Sequence, residues 1–181
     1  VNVFRGRNTF QVETDGGAAR YWFVCPNDDC ARNVAFVFTS ASSAENRLTQ
    51  HLYLDSSAPP RHRLGALEVG ENASVYAYLP YYLQARTHDL KLGANARLDI
   101  SQYSYQALTA TGEIDVDPTA TLVKNNPAMT AGTEGTVLMV LGTLDEDAPT
   151  IKFEVPNAPD GFSVQRIAGS YVLTDGLYAP S

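Results

Sequence analysis

Several features are missing from this 181-residue sequence, and each absence argues against a class of protein. No apolar run approaches the roughly 18 residues that a membrane-spanning helix requires. Basic residues are few and dispersed, with 13 Lys and Arg against 20 Asp and Glu. Because nucleic acid is bound mainly through clustered Lys and Arg, the net charge of −7 argues against a nucleic-acid partner and against a genome-packaging capsid arm.

Cysteine is scarce as well, since the chain has only Cys25 and Cys30, separated by Pro-Asn-Asp-Asp. That spacer favours a turn, so we predict a small loop closed by a disulfide. Two free thiols beside a turn are the alternative. A disulfide requires an environment outside a reducing cytosol, so the expected location is extracellular or on a virion surface.

Catalytic signatures are lacking too. The three histidines, His51, His62 and His88, stand in unrelated contexts, and the sequence contains no Gly-x-Ser-x-Gly nucleophile elbow. Serine hydrolysis needs a nucleophile beside an oriented base, and glycoside hydrolysis needs two opposed carboxylates. Neither pattern stands out, so we predict a protein that is not an enzyme and needs no cofactor.

One acidic segment is a candidate cation site. Glu113, Asp115 and Asp117 share one face of a predicted strand, because alternate residues point the same way. Like charges at that spacing repel and do not divide acid and base roles, whereas carboxylate oxygens are ligands that suit Ca²⁺. Asp115 and Asp117 are therefore candidate calcium ligands. A solvated acidic edge that deters strand pairing is the alternative, and the pattern favours it.

What the sequence does contain is the alternation typical of strands. Val75 and Ala77 alternate with Tyr76 and Tyr78, which predicts a strand with an aliphatic face and a tyrosine-bearing face. A turn centred on Gly70 is predicted to return the preceding strand onto this one as a β-meander.

The same alternation recurs along the chain in about twelve short segments, ending in a hairpin around residues 168–169. A capping-box pattern predicts at most one short helix, near residues 43–50, and residues 96–108 are the longest strand candidate. No repeat of 20–50 residues is apparent. We therefore predict a single domain over residues 1–181, folded as an antiparallel two-sheet β-sandwich, with a jelly roll as the favoured topology and an immunoglobulin-like variant second.

Tyrosine is abundant, with ten in the chain. Six of them fall in neighbouring pairs: Tyr76, Tyr78, Tyr81, Tyr82, Tyr103 and Tyr105. Because tyrosine is enriched where a ring is packed and its hydroxyl is wet, these six are predicted to lie at an interface or in a ligand site. A second packed face inside the sandwich is the alternative.

Together these features predict a non-enzymatic structural subunit that assembles with copies of itself through sheet faces or terminal strands. Such a protein serves as a virion capsid or decoration protein or as an extracellular surface filament. A carbohydrate-binding, lectin-like module that uses the tyrosines is the second hypothesis.

Overall fold

A computed structural model describes residues 6–12, 20–24, 34–40, 49–55, 63–78, 86–101, 108–124, 134–140, 151–156 and 158–177. Within these residues every regular element is a strand. The strands are β1 (Gly6–Val12), β2 (Arg20–Val24), β3 (Val34–Ser40), β4 (Thr49–Asp55), β5 (Arg63–Val69), β6 (Ser74–Tyr78), β7 (Arg86–Leu92), β8 (Arg97–Asp99), β9 (Leu108–Ala110), β10 (Ile114–Val116), β11 (Thr121–Val123), β12 (Glu134–Val140), β13 (Lys152–Glu154), β14 (Ser163–Ile167) and β15 (Ser170–Thr174).

The chain alternates between two sheets as it proceeds. The first sheet has the order β1-β3-β5-β7-β9-β12-β15-β14, with β10 also paired to β7, and the second has the order β13-β11-β8-β6-β4-β2. Pairing is parallel throughout the second sheet and from β1 to β12 in the first. Each circuit of the chain therefore adds strands to both sheets and stacks on the circuit before it. This is the architecture of a parallel β-solenoid, and we call each circuit a coil.

The predicted antiparallel sandwich is wrong. The turn at Gly70 does not fold β5 back onto β6, because β5 pairs with β3 and β7 whereas β6 pairs with β4 and β8. Alternating apolar and polar side chains are common to parallel and antiparallel strands, so the pattern identified strands without identifying their partners. The turn instead carries the chain from one sheet to the other.

One further expectation fails for a related reason. The long strand predicted over residues 96–108 is not continuous, since β8 ends at Asp99 in the second sheet and β9 begins at Leu108 in the first. The expectation of at most one short helix near residues 43–50 falls mainly on residues 43–48, which lie outside the described ranges, and Thr49 and Gln50 are the first residues of β4.

A structural repeat is present although none was predicted. Leu67 pairs with Leu90, which lies 23 residues further along the chain, whereas Ala35 pairs with Ala66 at a separation of 31. The coils thus differ in length while keeping their register. Unequal connections between the strands hide the period in the sequence.

The corner between the two sheets recurs in three successive coils. The backbone N–H groups of Gly70, Gly93 and Asp117 each donate to a carbonyl of the preceding coil at 2.8 Å. Two residues further on, Asn72 and Asn95 have φ values of 56° and 54°, in the left-handed region that asparagine tolerates better than most residues. These corners set the spacing at which the coils stack.

Between the sheets the interior is filled by ladders of apolar side chains. Phe38, Val69, Leu92 and Val116 occupy matched register positions on β3, β5, β7 and β10, and all four are buried. Each coil contributes a side chain to the ladder, so adding a coil extends the same apolar column. The core is therefore continuous along the stack.

The first sheet ends differently from the rest of the stack. Here β15 pairs antiparallel with β12, and β14 pairs antiparallel with β15. The predicted final hairpin is confirmed, and its turn places Ala168 and Gly169 at φ values of 49° and 79°. The hairpin adds two strands to the first sheet beyond the last coil.

Candidate functional site

One end of the stack presents a terminal strand from each sheet. β1 is the first strand in the order of the first sheet, and β2 is the last strand in the order of the second. Both belong to the first coil, since β1 pairs with β3 and β2 pairs with β4. Terminal strands expose a row of backbone N–H and C=O groups that can pair with another chain.

Arg7, the charged residue of β1, does not protect the outer edge of that strand. Arg7 reaches past β3 to Glu68 on β5, where both guanidinium nitrogens Nη1 and Nη2 donate to the carboxylate, the second at 2.6 Å. The side chain of Glu68 is 12% exposed, whereas that of Arg7 is 62% exposed. Because the arginine points back along the stack, its charge lies over the sheet face and away from the outer edge of β1.

A matching ion pair spans the second sheet. Arg97 on β8 donates through Nη1 to Oε2 of Glu154 on β13 at 2.7 Å, across the intervening strand β11. Both pairs join strands that are two positions apart in a sheet. Each therefore ties three coils together on the outer face of the stack.

Four rings form a cluster on the outer face of the second sheet. His51 and Tyr53 on β4 lie in register with Tyr76 and Tyr78 on β6. Ring centroids are 5.6 Å apart for His51 and Tyr76 and 5.0 Å apart for Tyr53 and Tyr78. All four side chains are half-buried. The structure thus places two of the predicted tyrosines beside two rings that the sequence did not connect with them.

Polar residues border this ring cluster on both sides. Arg20 on β2 lies in register with His51, and Asp99 on β8 lies in register with Tyr76. Arg20 is exposed and Asp99 is half-buried. The four rings therefore lie between one positively charged and one negatively charged residue. Aromatic surfaces beside hydrogen-bonding groups suit polar, ring-shaped ligands.

A groove follows the outer face of the first sheet across several coils. Its volume is about 570 Å³, within the range of small-molecule sites. Gly70, Gly93 and Pro118 contribute to its walls. Its charged lining consists of Arg7, Glu68, Lys91, Asp115 and Asp117. Two positive and three negative side chains therefore line the groove.

The candidate calcium ligands lie at one end of this groove. Oδ1 of Asp117 accepts the backbone N–H of Thr119 at 2.8 Å and its hydroxyl at 2.6 Å, and these bonds lower the pKa of the carboxyl. One oxygen of Asp117 is thus engaged in the corner turn. Across the described ranges, no group of three or more His, Cys, Asp or Glu side chains is placed to hold a metal ion. The calcium assignment stays a prediction.

His88 lies next to a carboxylate, as a general base often does. Its Nδ1 is 2.9 Å from Oδ1 of Asp89, and the same oxygen accepts the backbone N–H of Glu113 at 2.9 Å. The histidine side chain is 66% exposed. The hydrogen bond from Glu113 to Asp89 joins neighbouring coils, so the carboxylate beside His88 has a structural contact of its own.

Several predicted residues lie outside the described part of the chain. These are Cys25, Cys30, His62, Tyr81, Tyr82, Tyr103 and Tyr105. The disulfide therefore stays a prediction, and so does the interface or ligand role of all six tyrosines.

Sequence reasoning missed one buried charge. Lys124 directly follows β11 and is 1% exposed, and burial lowers its pKa to about 8. The register of β11 on β8 places Lys124 next to buried Ile100 of the preceding coil, and this register could not be read from the sequence.

The comparisons with known proteins give no relative. The chain matches no family model, and no curated protein and no solved structure matches it. In the strands and turns that the structure describes, no helix is long and apolar enough to cross a membrane. Function is therefore argued from the geometry of the chain itself.

Proposed function

We propose that this chain is a non-enzymatic structural subunit that assembles through the terminal strands of its sheets, in a virion shell or an extracellular surface filament. The observation that carries the proposal is the end of the stack at β1 and β2, where the order of the described strands finishes in both sheets. Such edges are templates for pairing with another chain.

The ion pairs on the outer faces support a structural role. Arg7 with Glu68 and Arg97 with Glu154 each span an intervening strand, so charged side chains join coils to one another. A rigid stack of this kind resists deformation along its length, as a shell or filament component must. Because these side chains lie over the sheet faces, we assign attachment to the edges of the terminal strands.

The test is the mass of the protein in solution over a wide range of concentration. Assembly predicts a mass that rises above 19.6 kDa as concentration increases. Sedimentation equilibrium and light scattering measure this directly. A protein that stays monomeric at the highest concentration contradicts the proposal.

Proline substitutions at neighbouring positions of β1 locate the contact. Successive N–H groups of a strand point to opposite sides, so one of Asn8→Pro and Thr9→Pro removes a hydrogen bond to β3 and the other removes an outward donor. The variant that loses the outward donor should fold and lose assembly. Glu113→Ala, on an exposed side chain in the middle of the stack, is the control and should assemble normally.

The predicted location has its own test. A disulfide between Cys25 and Cys30 supports an extracellular or virion setting. Mass spectrometry after alkylation, with and without reductant, counts the free thiols. Two free thiols in protein purified under non-reducing conditions would remove this argument for the location while leaving the assembly proposal in place.

A second candidate function, carbohydrate binding, is favoured by the ring cluster. Half-buried tyrosine rings flanked by Arg20 and Asp99 combine stacking surfaces with hydrogen-bonding groups. Screening against a glycan array tests this function. Binding that is lost in Tyr76→Ala and kept in Leu177→Ala, a change at an exposed apolar side chain elsewhere, would support it. No binding to any glycan would count against it.

A further inference from the structure

One short motif of the sequence has no part in the functions proposed above. Asn72-Ala73-Ser74 is the only Asn-x-Ser or Asn-x-Thr tripeptide in the chain. This tripeptide is the acceptor of N-linked sugars in secreted proteins. A pattern of three residues also arises by chance, so its place in the fold decides whether it is a usable acceptor.

Asn72 lies at the corner between β5 and β6, outside both strands. Its backbone is left-handed, with a φ of 56°. Asn72 is half-buried, and the residue before it, Glu71, is exposed. Because the corner belongs to neither sheet, a bulky substituent on this residue displaces no strand.

The side-chain amide of Asn72 has a nitrogen that is available for modification. Its Oδ1 accepts a hydrogen bond from Nδ2 of Asn95 at 3.2 Å, and within the described ranges Asn72 makes no other side-chain hydrogen bond. Among the described residues, the buried side-chain polar atom without a partner is Oε1 of Gln50, so Nδ2 of Asn72 reaches solvent. A sugar on Nδ2 leaves Oδ1 in place to accept the bond from Asn95.

The same corner one coil further on lacks these properties. Asn95 has the same left-handed conformation, but Arg97 occupies the register position that Ser74 has after Asn72. Arg97 pairs with Glu154, and Nδ2 of Asn95 is engaged with Asn72. Of these two equivalent corners, only that of Asn72 combines a following hydroxyl residue with a solvent-facing nitrogen.

Ser74 also has a packing role in the folded protein. It is 3% exposed, and its Oγ lies 3.3 Å from Oγ1 of Thr49 in the preceding coil. A transferase that recognises the Ser74 hydroxyl cannot reach it once the coils have stacked. Transfer to Asn72 therefore has to precede folding.

From these observations we infer that Asn72 carries an N-linked sugar, added while the chain is unfolded. In the transfer, Nδ2 attacks the anomeric carbon of a glycosyl diphosphate donor. The carbon–nitrogen bond forms, the diphosphate leaves, and Nδ2 loses one proton, so no oxidant or reductant is needed. The inference rests on the extracellular setting of the proposed function and is independent of assembly.

Peptide mapping of the protein from its native source tests the inference. Trypsin releases residues 64–86 as one peptide, in which Asn72 is the only asparagine. The expected spectrum shows this peptide with the added mass of hexose or N-acetylhexosamine units, and fragments that place the sugar on Asn72. Recovery of the unmodified peptide alone overturns the inference.

Variants secreted from a eukaryotic host separate the motif from the packing of Ser74. Ser74→Thr keeps the hydroxyl and should keep the sugar, whereas Ser74→Ala should lose it. Thr49→Ala removes the same packing contact without touching the motif, so it is the matched control and should keep the sugar. Because transfer precedes folding, a variant that folds poorly still reports on the motif. A sugar that persists in Ser74→Ala, or is lost in Thr49→Ala, overturns the inference.

The outcomes are distinct from those of the assembly test. A sugar that the expression host adds but the native protein lacks overturns the inference. A native chain without a sugar whose mass rises with concentration overturns it as well, while leaving the proposed function intact. A chain modified at Asn72 that stays monomeric supports the inference and contradicts assembly.

Discussion

Asn95 lies one coil above Asn72, and its side-chain Nδ2 donates to Oδ1 of Asn72 at 3.2 Å. Both residues adopt left-handed φ values at the same corner of the stack. The backbone N–H of Asn95 also donates to the hydroxyl of Thr119 in the following coil at 2.8 Å. Three consecutive corners are thereby joined by side chains as well as by backbone hydrogen bonds.

Two substitutions of Asn95 should separate the contribution of its side-chain hydrogen bond from that of its left-handed backbone conformation. Asn95→Ala loses the side-chain hydrogen bond and places alanine at a positive φ, and we expect a loss of about 2 kcal/mol in the free energy of unfolding. Asn95→Gly tolerates the backbone conformation, so the loss should be about 1 kcal/mol. Urea denaturation measures both. Glu71→Ala, at an exposed neighbouring position, is the control, and equal losses for the two Asn95 variants would contradict the explanation.

The glycine at the same corner is required by close backbone packing. A Cβ atom on Gly93 would lie 2.8 Å from the backbone nitrogen of Glu71, whereas one on Gly70 would lie 3.2 Å from the carbonyl oxygen of Phe38. We expect Gly93→Ala to cost about 1–3 kcal/mol, as overpacking does, and Gly70→Ala to cost clearly less. Thermal and urea denaturation of the two variants test this order. The reverse order would show that the coils can shift at this corner.

The ion pair between Arg7 and Glu68 should contribute more than a typical surface pair. It is bidentate and its carboxylate is mostly buried, so we expect a coupling energy of about 1 kcal/mol from a double-mutant cycle with Arg7→Ala and Glu68→Gln. The pair of Lys91 and Glu113, at 3.6 Å and more exposed, is the comparison and should couple by less than about 0.5 kcal/mol. Equal coupling energies would show that the bidentate geometry adds nothing measurable.

Local features of the sequence predicted the strands and their faces. Val75 and Ala77 are buried and Tyr76 and Tyr78 are half-buried, as the alternation indicates. The hairpin at residues 168–169 was also recognisable, because its turn and both strands are contiguous in sequence. These features depend on interactions within a few residues.

Pairing between coils could not be read from alternation, because it joins residues 23 to 31 positions apart. The available signal was the corner itself, where Val-Gly-Glu-Asn-Ala at 69–73 recurs as Leu-Gly-Ala-Asn-Ala at 92–96. The third corner, with Asp117 and Thr119, has a different sequence, so the repeat is harder to recognise from the sequence alone. The ring cluster was missed for the same reason, since His51 meets Tyr76 only through coil register.

Lys124 should make the stability of the protein depend on pH above neutrality. Burial lowers its pKa from 10.5 to about 8 in the folded state. Below pH 8 the lysine is charged in both states, so the cost of burying the charge is fully present. Between pH 8 and 10.5 the unfolded chain holds a proton that the folded chain has released, so stability rises with pH, by at most about 3 kcal/mol.

The measurement is urea denaturation of the wild type and Lys124→Met at several pH values from 7 to 10.5. The difference in unfolding free energy between the two proteins should change by up to about 3 kcal/mol over this range, whatever constant offset the substitution introduces. Tyr21 and Tyr171, whose pKa values burial raises, titrate in both proteins and cancel in the difference. Lys152→Met, at an exposed position on β13, should show no such change. Parallel pH profiles for the wild type and Lys124→Met would mean that the ammonium group of Lys124 stays protonated in the folded protein, in contact with water or a charge that stabilises it.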